Sequence, residues 1–221
     1  MLKISDAVRD ILFSSEIAMS AFEDGVLNLS AYAKTIRKEA ERRTKKPVKT
    51  GSIVVALSRM RRESGKRQPL VPDAEVEDLS VKSGLAEISF DRTPEHLARL
   101  RNLYRDPAVN AGDFFMVTQG TGEITIVALA SALSHITVAM RPSKPKAVIK
   151  DLVGLTVRFK QDYISVPNII FAFVRQLALR RINIVEIVST YTELTFIVSQ
   201  RDLHNAFLAL SELRASKMRA D

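Results

Sequence analysis

Cysteine and tryptophan are absent from the 221 residues, and glycine and proline number only 8 each. Without cysteine there is no disulfide framework, thiolate zinc site, iron–sulfur cluster or cysteine nucleophile. Such a chain suits a reducing compartment, and a cytoplasmic protein is expected. Low glycine and proline exclude a collagen-like or mucin-like chain, and 46% hydrophobic with 26% charged residues excludes a wholly disordered one. Long apolar runs are lacking too. The best, residues 166–179, is broken by Pro167, Asn168, Arg175 and Gln176 and is too short to span a bilayer. Residues 4–19 carry Asp6, Arg9, Asp10 and Glu16, so no export-signal core is expected there. What remains is a globular protein outside the membrane, long enough for one large core or a few small ones.

Charge is unevenly spread. Residues 1–72 hold 15 Lys and Arg against 8 Asp and Glu, whereas residues 73–221 hold 18 against 17. Within residues 34–67 the balance is 13 against 3, so the excess cations of the whole chain sit in one segment. A basic end on a near-neutral body favours a polyanionic partner at that end alone.

Residues 1–67 read as a basic helical domain of three helices. Val8, Ile11, Leu12, Ile17, Met19 and Phe22 form the apolar stripe of the first, ended by Asp24-Gly25. Ser30 or Asn28 caps a second, which runs through the basic stretch to Pro47. Lys49-Thr50-Gly51-Ser52 turns into a third, with Ile53, Val54, Ala56, Leu57 and Met60 inward and Arg59, Arg61 and Arg62 at its end. Residues 68–78, with Pro69 and Pro72 and then Asp73, Glu75, Glu77 and Asp78, read as a linker.

Beyond it the pattern strand–helix–strand–strand–helix is written twice, over residues 79–150 and 151–215, with a tail at 216–221. Gly84-Leu85 recurs as Gly154-Leu155, and Glu123-Ile124-Thr125-Ile126-Val127 recurs as Glu193-Leu194-Thr195-Phe196-Ile197, both at an offset of 70. Two copies of so long a period mean a duplicated small domain. The order is that of an α+β ferredoxin-like sandwich, an antiparallel sheet with one face under two helices. The stretch from Ala128 to Met140 reads as a helix or as a helix plus an edge strand, and Pro167 is expected to open the helix that follows the second copy's first strand.

Residues 166–213 resemble the regulatory ACT domain of aspartate kinases. The likeness rests on Pro167, on Arg181-Ile182-Asn183-Ile184-Val185-Glu186-Ile187-Val188-Ser189-Thr190, on Glu193-Leu194-Thr195-Phe196-Ile197-Val198, and on the stretch Asp202 to Leu210. The 80–150 copy matches more weakly. The resemblance implies a pair of ACT-like units that binds an amino acid or similar effector and forms a homodimer. It implies effector contacts at Asp162, Val166, Asn168, Asn183, Ile184 and Ser189. Two features depart from the family. The turn after the first strand has Ser165-Val166-Pro167 where the family usually has glycine, and a basic helical segment stands where the kinase domain would be. Each single residue also has a plain reading: Asn183 as a turn residue, Asp162 as a solvated loop acid, Ser189 as a strand end, and the matched Glu123 and Glu193 as solvated strand starts.

Enzymatic constellations are poor. His96, His135 and His204 lack metal-ligand spacing, Gly120-Thr121-Gly122 is too short for a phosphate loop, and no nucleophile–base pair is visible. The expectation is a non-enzymatic regulator with no cofactor. Its basic domain reads as a helix-turn-helix variant contacting DNA through Lys45, Lys46, Lys49, Arg59, Arg61 and Arg62; alternatively the chain is an interaction module whose ACT-like pair dimerises or pairs with a biosynthetic enzyme while the helices dock a protein partner.

Overall fold

The computed structural model describes residues 2–64, 72, 76–110, 114–159 and 165–215, which fall into a helical unit within 1–72 and a sheet unit within 73–221. The helical unit contains α1 (Ile4–Phe13), α2 (Glu16–Glu23), α3 (Leu29–Thr44) and α4 (Thr50–Ser64). The first expected helix is therefore two, and consecutive serines break it. The Ser14 hydroxyl donates to the Ile11 carbonyl at 2.8 Å, while the Ser15 hydroxyl accepts the Ala18 amide at 3.3 Å and caps α2. Asn28, not Ser30, caps α3 by accepting the Ala31 amide at 3.0 Å. Lys45 ends that helix in the left-handed region, two residues before Pro47. Val8, Leu12, Phe22, Ala33, Ile36, Ala40, Ile53 and Leu57 meet in one core. Each large side chain among them contributes roughly 1.5–3 kcal/mol by leaving water.

The sheet unit holds β1 (Val76–Asp91), α5 (Pro94–Leu103), α6 (Pro107–Asn110), β2 (Phe115–Gln119), β3 (Glu123–Leu129), α7 (Leu133–Ala139), β4 (Ala147–Phe159), α8 (Ile169–Leu179), β5 (Ile184–Ser189), β6 (Glu193–Ser199) and α9 (Leu203–Ala215). The strands form one antiparallel sheet in the order β2-β3-β1-β4-β6-β5. Thr93 caps α5 by accepting the His96 amide, with Pro94 at the first helical position. Residues 130–140 contain a short 3₁₀ turn and α7 but no edge strand. Pro167 lies in the turn before α8, which starts two residues later behind Asn168.

The two ferredoxin-like halves do not divide at residue 150. β1 pairs with β3 through Leu85–Asp91 and with β4 through most of its length, while β4 pairs with β6 only from Leu152 onward. The first part of β1 therefore completes the second half, and the first part of β4 completes the first half. Val76–Asp78, expected in the linker, already belongs to this strand.

Register also corrects the repeat. Leu85 pairs with Leu129 and Asp91 with Glu123, whereas Leu152 pairs with Ser199 and Arg158 with Glu193. With β3 and β6 related by 70 residues, β1 and β4 are related by 67, because 152 − 85 and 158 − 91 are both 67. Gly84 therefore corresponds to Asp151 and not to Gly154, and both of those residues have positive φ, +72° and +56°. Each turns the strand from one half into the other. Leu85 pairs directly with its own counterpart Leu152, so the pseudo-two-fold axis passes between them.

Helices cover one sheet face over two cores. Ile88, Phe90, Leu100, Ile124, Ile126 and Ile136 fill the first. Leu155, Val157, Phe173, Leu177, Phe196 and Leu210 fill the second, with Phe173 packed at 6.5 Å from Phe159 and 6.3 Å from Phe196. On the other face Leu85, Val127, Leu152 and Ile197 form a small cluster that is itself symmetric about the axis.

Candidate functional site

The expected effector residues lie on three elements, and chain direction decides which of them meet. β4 runs up to Phe159, whose amide donates to the carbonyl of Thr192 in the β5–β6 turn at 3.0 Å. The start of α8 and the end of β5 therefore share one end of the sheet. Val166, half-buried, Asn168 and the exposed Ser189 lie at that end. Asn168 adopts φ +67°, and its side chain takes no capping hydrogen bond from α8. Among the described residues no side chain is shown accepting from the first-turn amides of the helix, a favourable setting for a carboxylate.

Asn183 and Ile184 lie at the opposite end. The Ile182 amide donates to the Leu177 carbonyl at 3.1 Å, holding the start of β5 against the C-terminus of α8. Ile184 and Ser189 are the two ends of the six-residue β5, a run of about 17 Å. Asn183 is exposed and Ile184 packs against the second core. The five described residues of this set therefore do not converge inside one copy of the unit. Asp162 falls outside the described residues.

Matched hydroxyls and two acids on the sheet face away from the helices escaped the sequence reading. Ser89 and Thr125 share a hydrogen bond at 3.1 Å, and their counterparts Thr156 and Thr195 share one at 2.8 Å. Beside them Glu87 is 8% exposed, and its Oε2 has no hydrogen-bond partner among the described residues. Burial raises the Glu87 carboxyl above its ordinary range, and the charge of Glu186 raises it further; burial raises Glu186 too. The signal was present in the alternation of Leu85-Ala86-Glu87-Ile88-Ser89-Phe90, which puts Glu87 and Ser89 opposite Ile88 and Phe90. Nothing local said that the open face would be curled enough to desolvate them. The matched Glu123 and Glu193 differ in their partners: Glu123 binds Lys146, whereas Glu193 pairs in register with Arg158. Arg158 in turn sits 3.8 Å from both Glu77 and Asp78.

The basic residues of the helical unit also separate. Arg61 is half-buried, its guanidinium 5.6 Å from the Phe22 ring centroid. Its guanidinium is thus turned toward the core of its own unit. Arg59 pairs with Glu63 at 3.0 Å. The acids of α3 are similarly taken up. Glu39 receives Arg42 and Arg43, whose hydrogen bonds pull its carboxyl down to about 2, and Glu41 lies 3.9 Å from Arg37 and accepts the Val48 amide at 3.2 Å. Lys34, Lys38, Lys45, Lys46, Lys49 and Arg62 form no ion pair among the described residues. They leave a cationic surface along α3, the turn and the far end of α4. The exposed row of α4 between them is Gly51, Ser52 and Val55, small enough for close approach.

Among the described residues no group of three or more His, Cys, Asp or Glu is placed to hold a metal ion, and no helix is long and apolar enough to cross a membrane.

No family model matches the chain, and no curated protein matches its sequence. Solved structures do match its fold. The regulatory subunit of aspartate kinase from Thermus thermophilus is 14% identical with a TM-score of 0.53, covering 62% of this chain and 97% of that one. The aspartate kinase of Clostridium acetobutylicum is 11% identical with a TM-score of 0.53, covering 63% of this chain. That of Synechocystis is 18% identical with a TM-score of 0.51, covering 68%. The match spans 34% and 29% of those two longer chains. At these identities the likeness establishes an ACT-like fold.

Proposed function

We propose that this chain is a non-enzymatic, cytoplasmic regulator in which a tandem ACT-like pair binds an amino acid or similar small molecule and controls a basic helical unit that binds DNA. The observation that carries the reading is the pairing of two modules. A sheet unit folded like the regulatory subunit of aspartate kinase is joined to a helical unit in which Glu39 and Glu41 of α3 are paired internally while six cations form no ion pair among the described residues. The effector half-sites at opposite ends of the unit suit binding between two copies. Val166, Asn168 and Ser189 of one copy would then face Asn183 and Ile184 of the other, in a homodimer. Binding there favours one dimer arrangement over another and so changes the spacing of the two basic units.

On DNA, Lys45, Lys46 and Lys49 contact phosphates while the Gly51–Ser52–Val55 row of α4 lies nearest the groove. The test is fluorescence polarisation of a random-sequence duplex with the full chain and with residues 73–221, at two salt concentrations. Binding by the full chain alone, weakening steeply with salt, supports the reading. A thermal shift against the twenty amino acids tests the sensor: an effector at a hundredfold excess over its Kd stabilises by about 2.7 kcal/mol. Salt-insensitive docking of a protein or enzyme partner is the outcome that would replace DNA as the target.

A further inference from the structure

The two long strands each leave a part unpaired on one side. The outer edge of β4 at residues 147–151 has no strand partner among the described residues, and the same is true of β1 at residues 76–82. These edges are equivalent across the pseudo-two-fold, since Val148 corresponds to Val81. Each borders a groove on the helix side. Val81 lies with Leu203, His204 and Phe207 of α9, and Val148 with Leu133, Ser134, Thr137 and Val138 of α7. The same backbone plan carries different charge in the two halves. The β1 edge mixes Glu77 and Asp78, both close to Arg158, with Lys82, and Arg201 lines its groove, whereas the groove beside β4 is rimmed by Arg141 and Lys150 with Lys144 nearby.

The β4 edge is the more open. All five residues from Ala147 to Asp151 are exposed, including Val148 at 43% and Ile149 at 40%, and Val138 across the groove is 57% exposed. Apolar residues on a free strand edge are what monomeric proteins avoid unless something covers them. The groove, about 480 Å³, accommodates a few side chains of an extended segment but not a domain. Arg141, Lys144 and Lys150 form no ion pair among the described residues, and Asp151 is the one acid of the edge itself.

We propose that the edge of β4 at residues 147–151 and its groove take an acidic, extended segment of a partner protein as an added strand. Main-chain hydrogen bonds join it to β4, apolar side chains of the segment rest against Val148 and Val138, and its carboxylates meet Arg141, Lys144 and Lys150. A second copy joined edge to edge would place two edges of the same net positive charge side by side, which like-charge repulsion opposes. This site shares no residue with the proposed effector and DNA sites.

The probe is a fluorescein-labelled octapeptide of alternating Glu and Val, titrated into the full chain by anisotropy and by amide chemical shifts. Binding is expected to move resonances of residues 133–151 and to weaken roughly tenfold or more in Arg141→Glu/Lys150→Glu. The same peptide N-methylated at alternate amides, and its Lys–Val counterpart, should not bind. Both substituted side chains are exposed and unpaired, so circular dichroism and melting should stay unchanged. Equal binding of the Lys–Val or N-methylated peptide overturns the proposal, as does equal binding by the double variant or no binding up to about 1 mM. A concentration-dependent dimer that Val148→Lys dissociates would also overturn it, by giving the edge to a second copy.

Discussion

Glu87 offers the sharpest test of the sheet's geometry. It is 8% exposed, flanked in register by Val127 and Ile149, and its Oε2 has no partner among the described residues. Replacing it with Gln removes the charge, and replacing it with Met removes the polar group altogether. An unsatisfied buried polar group costs about 1–3 kcal/mol, and more when charged. Burial and Glu186 both raise the folded-state carboxyl, so the unfolded chain releases this proton at lower pH than the folded one. The resulting penalty is absent below the unfolded value of about 4.3, grows as pH rises past it, and is complete above the folded value. At pH 7.5 Glu87→Met should therefore be more stable than the parent by about 1–3 kcal/mol, or several degrees in Tm for a unit this size. Glu87→Gln should gain less, and at pH 4 its gain should vanish. Urea unfolding at the two pH values decides. If Glu87→Gln were the less stable protein at pH 7.5, the carboxylate would have a cationic partner in solution and the unpaired reading would be wrong.

Three further outcomes follow from the packing. A Cβ on Gly154 would sit 3.2 Å from Leu85 Cδ1, 3.4 Å from Ile197 Cδ1 and 3.5 Å from Phe114 Cζ, so Gly154→Val should cost about 1–3 kcal/mol by overpacking in urea unfolding. Asp151 holds φ +56° where its counterpart is glycine, so Asp151→Gly should be neutral or stabilising by up to about 1 kcal/mol, whereas Asp151→Val should cost about 1–2 kcal/mol. Arg61→Ala should lower the stability of the helical unit by about 1 kcal/mol through loss of its Phe22 contact, while Arg62→Ala leaves melting unchanged.

The strand–helix order, the duplication and the separation of a basic helical segment were legible because each is written in local periodicity or composition. Strand pairing was not. The offset of 70 between β3 and β6 is true of those strands, but the connection between the first and second strands is three residues longer in the second half, and only the ladder shows the 67-residue offset of β1 and β4. Exchange of strand segments between halves was illegible for a similar reason: Ala147–Phe159 reads as one extended run whether it serves one half or two. Among the expected DNA contacts, sequence placed Arg59, Arg61 and Arg62 on one helix end, but which of them turns inward depends on Phe22, some forty residues earlier. The buried Glu87 was hidden because alternation assigns a face without saying how wet that face is.

Symmetry also shows where the duplicated halves have taken different work. On the face away from the helices, register makes Glu87 the counterpart of Gly154 and Glu186 the counterpart of Met116. One side of the axis is closed by Phe114 lying against Gly154; the other holds two carboxyls that are costly to bury. At the strand edges the divergence takes the form of charge, mixed and paired beside β1 and basic beside β4. Packing alone gives no reason for these differences, because the hydroxyl pairs Ser89–Thr125 and Thr156–Thr195 and the Leu85–Leu152 contact keep the symmetric solution at positions between them. A duplicated fold that holds its central contacts symmetric while its edges and one side of its open face diverge is one in which the scaffold is common and the recognition is not. Effector binding and partner binding should therefore be sought at the divergent positions, one half at a time.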